Sequence, residues 1–418
     1  MSTNRERLAW AIILMGFALL MVVLISIPLG LNAIRLNATR PLNILVQANQ
    51  GTVAVDDEAG NRNAVFTDSI SREFQNEANI FTSTADSGVV LFALPDTDAV
   101  ITWAQMYSNT TLRVSEAETP RFRSSSRTHQ LMLDLEQGRL RLTLPENMTR
   151  PIMVQVLTPQ GEVLIDQPGQ YVLEVVNVET RLVVLKGAAA LQAKGFRLTL
   201  RPNERGVIPL DQAPSGPFST ERNLLSNGDF ANGLTDWVPL AWNIEIPGQP
   251  EGEVTPSAAN NDPSLRFYRL GTGHADVTVR QSIEQDVADF STLRLETTMI
   301  IHGQDVAVCG VRGSECPLTI RLEYVDGNGA NQIWQQGFFA VGTIVPSQTP
   351  DICVSCAVVQ SPHADMSLNQ LAFYEVDILV ELARQGYLPP ARLKSISLIA
   401  AGHSFEVEVV NVGLLGTE

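Results

Sequence analysis

Hydrophobic positions along the chain follow two regimes. From Leu8 to Leu31 the sequence LAWAIILMGFALLMVVLISIPLGL carries no charge, and Ser26 is its one strongly polar residue. A helix of this length rises about 36 Å, more than the ~30 Å hydrocarbon core of a bilayer. Trp10 stands near one end, where an indole rests among headgroups, and Pro28 near the other, where a helix tolerates it. The stretch predicts an uncleaved transmembrane anchor at 8–31, preceded by a stub at 1–7. A cleaved signal peptide is the first rival, but it has a shorter apolar core and a small-x-small cleavage site, for which only Asn32–Ala33 is available. A buried core helix is the second.

Beyond the spacer that Pro41 closes, apolar residues recur at every second position, the period of strands. Gly51–Val55 alternates, and Val89–Leu94 and Ala99–Gln105 flank the turn Pro95–Asp98. Leu131, Leu133 and Leu135 alternate before Gln137-Gly138, and Leu140, Leu142 and Leu144 after it, which reads as a hairpin. A second hairpin joins Tyr171–Val176 to Leu182–Leu185 through Asn177–Thr180. Ser69–Asn79 is the one short helical candidate. Asp211–Arg222 is rich in Pro, Ser and Gly without an apolar period and reads as a linker. After it, Leu265–Leu270, Leu293–Ile301, Leu318–Tyr324, Tyr374–Leu382 and Phe405–Leu415 are among the strands of a two-sheet sandwich. Asp326-Gly-Asn-Gly329 is a turn of the hairpin kind. The expectation is a mainly β chain: a β domain at 44–210, a linker at 211–222 and a β-sandwich at 223–418.

Composition narrows the partners. The chain has 45 acidic and 29 basic residues, a formal net charge of -16, which repels phosphate backbones and excludes nucleic acid. A hydrophobic fraction of 44% is enough for real cores. Arg5 and Arg7 on one side of the apolar stretch balance Arg35 and Arg40 on the other, so basic residues do not orient it. The mass of chain following the helix, and the two close cysteine pairs, place the amino terminus inside and the bulk in an oxidising, extracytoplasmic space.

Several motifs then fall in a recognisable order. Gly51-Thr-Val-Ala-Val55, Phe81–Leu91, Leu94-Pro-Asp96, Thr111–Val114, Leu135–Leu140 and Leu182–Gly187, with Thr158-Pro-Gln-Gly161 and Gly169-Gln-Tyr-Val172, resemble a FecR-like domain over about residues 45–210. The late Pro-Gly-Glu of that family is here Arg201-Pro-Asn-Glu204. FecR regulators carry a cytoplasmic segment that engages a sigma factor, and Met1–Arg7 is too short to hold one. Asn223-Leu-Leu-Ser-Asn-Gly-Asp-Phe230, followed by Trp237, resembles the opening of galactose-binding-like jelly rolls of the carbohydrate-binding-module type. That resemblance implies a closing strand beside the first, and Phe405–Leu415 suits it. It also implies a structural calcium near the opening strand, for which Asn227 and Asp229 are the candidates; Ala231 replaces the usual Glu. A capped turn is the competing reading of the same residues.

Sugar-binding sandwiches stack pyranose rings on aromatic faces. Trp237, Trp242, Tyr268 and Trp334 are available; Trp242 and Trp334 are the glycan candidates, the latter beside Gln335, with core packing as the alternative for each. Cys309, Cys316, Cys353 and Cys356 form either two disulfides or a tetrahedral zinc site with His363 as a further donor. No cofactor is required by any motif: there is no G-x-S-x-G, H-E-x-x-H, Walker loop or dinucleotide fingerprint. The reading is a non-enzymatic envelope protein for binding, scaffolding or sensing, in contact with membrane lipid and with a glycan or envelope protein. The alternatives are a carbohydrate-binding module tethered to cell-wall or extracellular glycan, and a FecR-type signalling regulator.

Overall fold

A computed structural model describes the whole chain except residues 1, 2, 58, 59, 68, 70, 71 and 75–77; the side chains of residues 3–6, 33, 72 and 242 are also outside the description. It divides into two compact units, Met1–Phe218 and Ser219–Glu418.

The first unit opens with the helix Thr3–Asn37; within its segment Arg7–Asn37 a stretch of 18 residues has a mean hydropathy of 2.9 and is not buried against protein. It is long and apolar enough to cross a membrane. Among the described residues, everything after it in this unit is strand, turn or loop. One sheet runs Arg62–Phe66, Thr52–Asp56, Asn79–Phe81, Thr111–Pro120, His129–Leu144, Ile152–Thr158, Gly161–Ile165, Ala189–Ala193 and Phe196–Leu200. The other runs Arg72–Phe74, Asn43–Gln50, Ser87–Ala93, Val100–Met106, His129–Leu144, Gly169–Val176, Glu179–Lys186 and Glu204–Pro209. Val46, Val53, Phe92, Leu133, Leu142, Val156 and Leu182 belong to one continuous buried cluster.

His129–Leu144 belongs to both sheets, and this overturns the expected hairpin at Gln137-Gly138. The residues up to Gln137 pair with Thr111–Pro120, and those from Gly138 pair with Val100–Met106 and Gly169–Val176. The alternation on either side is one strand changing sheets. Gly138 makes the crossing with φ +94°, and a Cβ there would lie 2.5 Å from the Thr110 Cα and 2.7 Å from the Asn109 carbonyl oxygen. The helical candidate Ser69–Asn79 is also corrected: Arg72–Phe74 and Asn79–Phe81 are strands, and the residues at 70, 71 and 75–77 lie outside those described. The second hairpin pairs as expected, with Val176 opposite Glu179.

The second unit is a two-sheet sandwich. One sheet has the order Glu253–Ala259, Asp262–Arg269, Phe405–Thr417, Thr292–Gln304, Ala372–Asp377, and Arg222–Asn223 pairs with the end of Phe405–Thr417, so the closing strand does lie beside the first. The other has the order Val238–Trp242, Ala275–Asp286, Pro390–Gly402, Leu318–Asp326, Asn331–Phe339, Val359–Asp365. The Asp326–Gly329 turn joins its two strands, with Gly329 at φ +83° and the Asp326 carboxylate accepting from the amides of Asn328 and Ala330. Tyr374–Leu382 is not one strand. Asp377 caps a short helix, Ile378–Arg384, by accepting from the Leu379 and Val380 amides, and Ile378 and Leu382, one turn apart, enter the core. Within 211–222 the chain forms the strand Ser215–Ser219, and Arg222 begins the strand Arg222–Asn223.

Replacing Gly138 with Ala therefore forces a side chain into backbone at a left-handed position. Gly138→Ala is expected to lower stability by about 1–3 kcal/mol, read as a lower urea midpoint of the full chain in detergent.

Candidate functional site

The outer face of the second sheet of the second unit carries the candidate site. Along Leu318–Asp326, Ile320, Leu322 and Tyr324 point into the core, which leaves Thr319, Arg321 and Glu323 on the outside. Register sets Arg321 opposite Gln335 on one neighbour and Ser397 on the other, and Thr319 opposite Gly337 and Ile399. Two strands away, Asp276 lies beside Ala401. Thr319, Arg321, Gln335, Ile399, Asp276 and Ala401 form the floor and one wall of a cavity of about 210 Å³, whose remaining lining includes Asn243, His274, Gly313, Ser314, Cys356 and His363.

The polar groups are held in two networks. On one side Arg321 Nη2 donates to Gln335 Oε1 (3.2 Å), and Gln335 Nε2 donates to Gln360 Oε1 (3.1 Å). Gln360 then bridges to the backbone of Cys353, accepting from its amide and donating to its carbonyl at 2.8 Å each. Arg321 Nε is buried without a partner. Burial pulls the Arg321 guanidinium down from its ordinary value, against the nearby charges of Asp276 and Glu323.

On the other side His274 lies between two carboxylates, with Nε2 3.0 Å from Asp276 Oδ1 and Nδ1 3.1 Å from Glu315 Oε1. The Asp276 and Glu315 hydrogen bonds raise the His274 pKa to about 10, so the ring is an imidazolium at neutral pH. The Glu315 carboxyl is held low chiefly by the same contact. Asn243 Nδ2 donates to the second oxygen of Asp276 (3.2 Å). An imidazolium with both nitrogens engaged cannot accept a proton, so His274 is a clamp and not a general base. His363 is buried, and desolvation lowers its pKa. The arrangement presents fixed donors and acceptors, which suits hydrogen bonding to hydroxyl groups.

Cysteines close the rim. Cys309 is bonded to Cys316 and Cys353 to Cys356. The two bridged loops touch each other, with the Val354 amide donating to the Arg312 carbonyl (2.9 Å). The ligating atoms of Cys309, Cys316 and His363 lie within 4.8 Å of one another. Cysteine ligates zinc as a thiolate, and sulfur joined to sulfur offers none, so with Cys309 bonded to Cys316 this cluster retains only His363 as a donor and does not suit that ion.

The other candidates take different places. Trp334 is fully buried in the core and donates from Nε1 to Ser361 Oγ (3.2 Å), so it offers no ring face to a sugar in solvent. The Trp242 backbone pairs with Asp276, and its side chain lies outside those described. Trp237 is buried against Phe230, and Tyr268 stacks under Arg266 on the opposite sheet. Gln335 lines the cavity. Asn227 and Asp229 act inside their own turn. Asn227 Oδ1 accepts from the Asn232 amide (3.0 Å), its Nδ2 donates to the carbonyls of Gly233 and Thr235, and Asp229 accepts from the Ala231 amide. That is the capped-turn arrangement. Arg321, Asp276, His274 and Glu315 carried no motif in the sequence; strand alternation gives the outward face of Arg321, and only register brings it near Asp276.

No family model and no curated protein matches the sequence. Among solved structures, the chain is similar to a protein assigned as an anti-sigma factor from Parabacteroides distasonis, at 15% identity over 40% of this chain and 67% of that one, TM-score 0.24. It is also similar to a family 11 carbohydrate-binding module from Clostridium thermocellum in complex with a mixed-linked tetrasaccharide, at 12% identity over 46% of this chain and 94% of that one, TM-score 0.27. A carbohydrate-binding module in complex with β-1,4-galactotriose matches at 14% identity over 47% and 99% of the two chains, TM-score 0.26. These are coarse likenesses of fold.

The His274 clamp sets a pH dependence. Its pKa rises from an ordinary 6.5 to about 10 on folding, so its contribution is complete below about 6.5 and is lost as pH climbs through about 10. The Glu315 carboxyl is lowered from 4.5, so its contribution is present above that value and is lost on acidification. His274→Gln should cost about 2–3 kcal/mol. Thermal unfolding across pH should show the gap between wild type and variant widest between about 4.5 and 6.5 and closing above about 10.

Proposed function

We propose that this chain is a non-enzymatic binding protein, held to a membrane by its N-terminal helix, with its β units on the extracytoplasmic side. The second unit binds a polyhydroxylated ligand of the glycan class in the groove floored by Arg321, Gln335 and Thr319 and walled by Asp276 and Asn243. The observation that carries the reading is that convergence of fixed donors and acceptors in one cavity, together with a buried guanidinium nitrogen lacking a protein partner. Hydroxyls bond to such a set from both sides, as donors to Asp276 and as acceptors from Arg321.

The anchor reading is supported by an uncovered apolar helix that has no core to enter. The extracytoplasmic reading is supported by two disulfides, which persist in oxidising compartments. Catalysis finds little support at this site: its one doubly bonded histidine is fixed as a cation, and its other histidine lies beside a disulfide sulfur at 3.7 Å.

The test is retention of wild type and Arg321→Gln on an array of cell-wall and extracellular glycans, followed by titration calorimetry on the best ligand. Loss of a charged hydrogen-bond donor is expected to weaken binding about tenfold or more. Absence of any retained glycan, or equal affinity of the variant, rejects the groove as a glycan site.

A further inference from the structure

In a chain of net charge -16, six arginines gather at the end of the apolar helix. Arg35 lies in the last turn of the helix and Arg40 in the short strand after it; Arg121, Arg123 and Arg127 come from the loop after Thr111–Pro120, and Arg150 from the loop before Ile152–Thr158. The loop is fastened to the last turn of the helix. Arg35 Nε donates to Ser124 Oγ (2.7 Å), Ser125 Oγ donates to the Leu36 carbonyl (2.6 Å), and Arg127 Nη1 donates to the Asn37 carbonyl (3.0 Å). Arg150 Nη1 donates to the carbonyls of Ser125 and Arg127, tying the second loop to the first.

Little acid answers this charge. Asp96 is paired with Arg40, and Arg123 also acts on it through space. Among the described residues, Arg35, Arg121, Arg127 and Arg150 have no carboxylate within ion-pair distance. Arg121 and Arg123 are exposed, and Phe122 between them is 39% exposed with the Arg121 guanidinium 6.0 Å from its ring centre. If Leu31 ends the hydrocarbon-spanning part, Arg35 lies roughly 6 Å further along the axis, at the depth of the headgroups.

We propose that the loop carrying Arg121, Phe122 and Arg123 is a binding surface for the phosphate headgroups of anionic phospholipids in the membrane the helix spans. The guanidinium groups contact phosphate, and Phe122 enters the interfacial layer beside them. The inference rests on the anchor reading above and adds lipid selectivity to it. Among the described residues the Arg121 and Arg123 guanidinium groups have no hydrogen-bond partner, and both are exposed toward the headgroups.

The experiment reconstitutes the full chain in vesicles of phosphatidylcholine alone and of phosphatidylcholine mixed with phosphatidylglycerol. Flotation with the phosphatidylcholine vesicles tests the anchor; a chain that does not float overturns both readings. Hydrogen exchange of the amides at 121–128 then tests the loop. Exchange should be slower by about threefold or more in the anionic vesicles, and the difference should vanish at high salt and in Arg121→Gln/Arg123→Gln. Flotation with equal exchange in both lipids leaves the anchor standing and overturns the headgroup surface.

Discussion

A strand has two faces, and in both units the long strands commit one of them to a dry interior. Ile320 and Leu322 each contribute about 1.5–3 kcal/mol by burial, and a slip of one residue would replace them in the core with Thr319 and Arg321. Bringing an unpaired guanidinium inside costs more than the slip could recover. The core therefore fixes the register of Leu318–Asp326 against both neighbours, and the register fixes which outward side chains become neighbours. The polar groove is a consequence of that apolar constraint on the other side of the same strands.

Around the groove, fixed charges replace mobile ones. The imidazolium between Asp276 and Glu315 ties the strand Ala275–Asp286 to the loop closed by Cys309 and Cys316. Arg269, buried and donating to the carbonyls of Pro250, Gly273, Gly402 and His403, draws together the loops behind it. The chain Arg321, Gln335, Gln360 links the groove floor to the other bridged loop. Groups held in this way have lost their freedom before any ligand arrives, which lowers the cost of ordering them on binding.

Much of the architecture was legible in the sequence because burial writes it directly. The apolar run at Leu8–Leu31 and the alternation in the strands follow from which residues avoid water, the turn at Asp326–Gly329 from the backbone freedom of Gly and Asn, and the return of Phe405–Leu415 to the opening strand from the jelly-roll resemblance. The failures share a cause. Gln137-Gly138 has the composition of a hairpin turn, yet whether a glycine reverses a strand or passes it to another sheet depends on what lies across from it, here Thr110. Tyr374–Leu382 alternates like a strand, while Asp377 supplies a cap that alternation does not register. For Trp334 the sequence leaves a glycan platform and core packing both open; it pairs across from Leu322 and shares its place in the core. His274 and Glu315, 41 residues apart, meet only after folding.

The spacing of the bridges has a consequence of its own. Cys309 and Cys316 are seven residues apart, and Cys353 and Cys356 three, so each bond closes a small ring. Cross-links that close small rings restrict the unfolded chain less than those that close large ones. Their influence falls first on the loops at the rim, which Gly313, Ser314 and Cys356 bring to the cavity. A reducing milieu would accordingly loosen the mouth of the groove while the β layers beneath it stayed assembled, making occupancy, rather than folding, the property exposed to redox conditions.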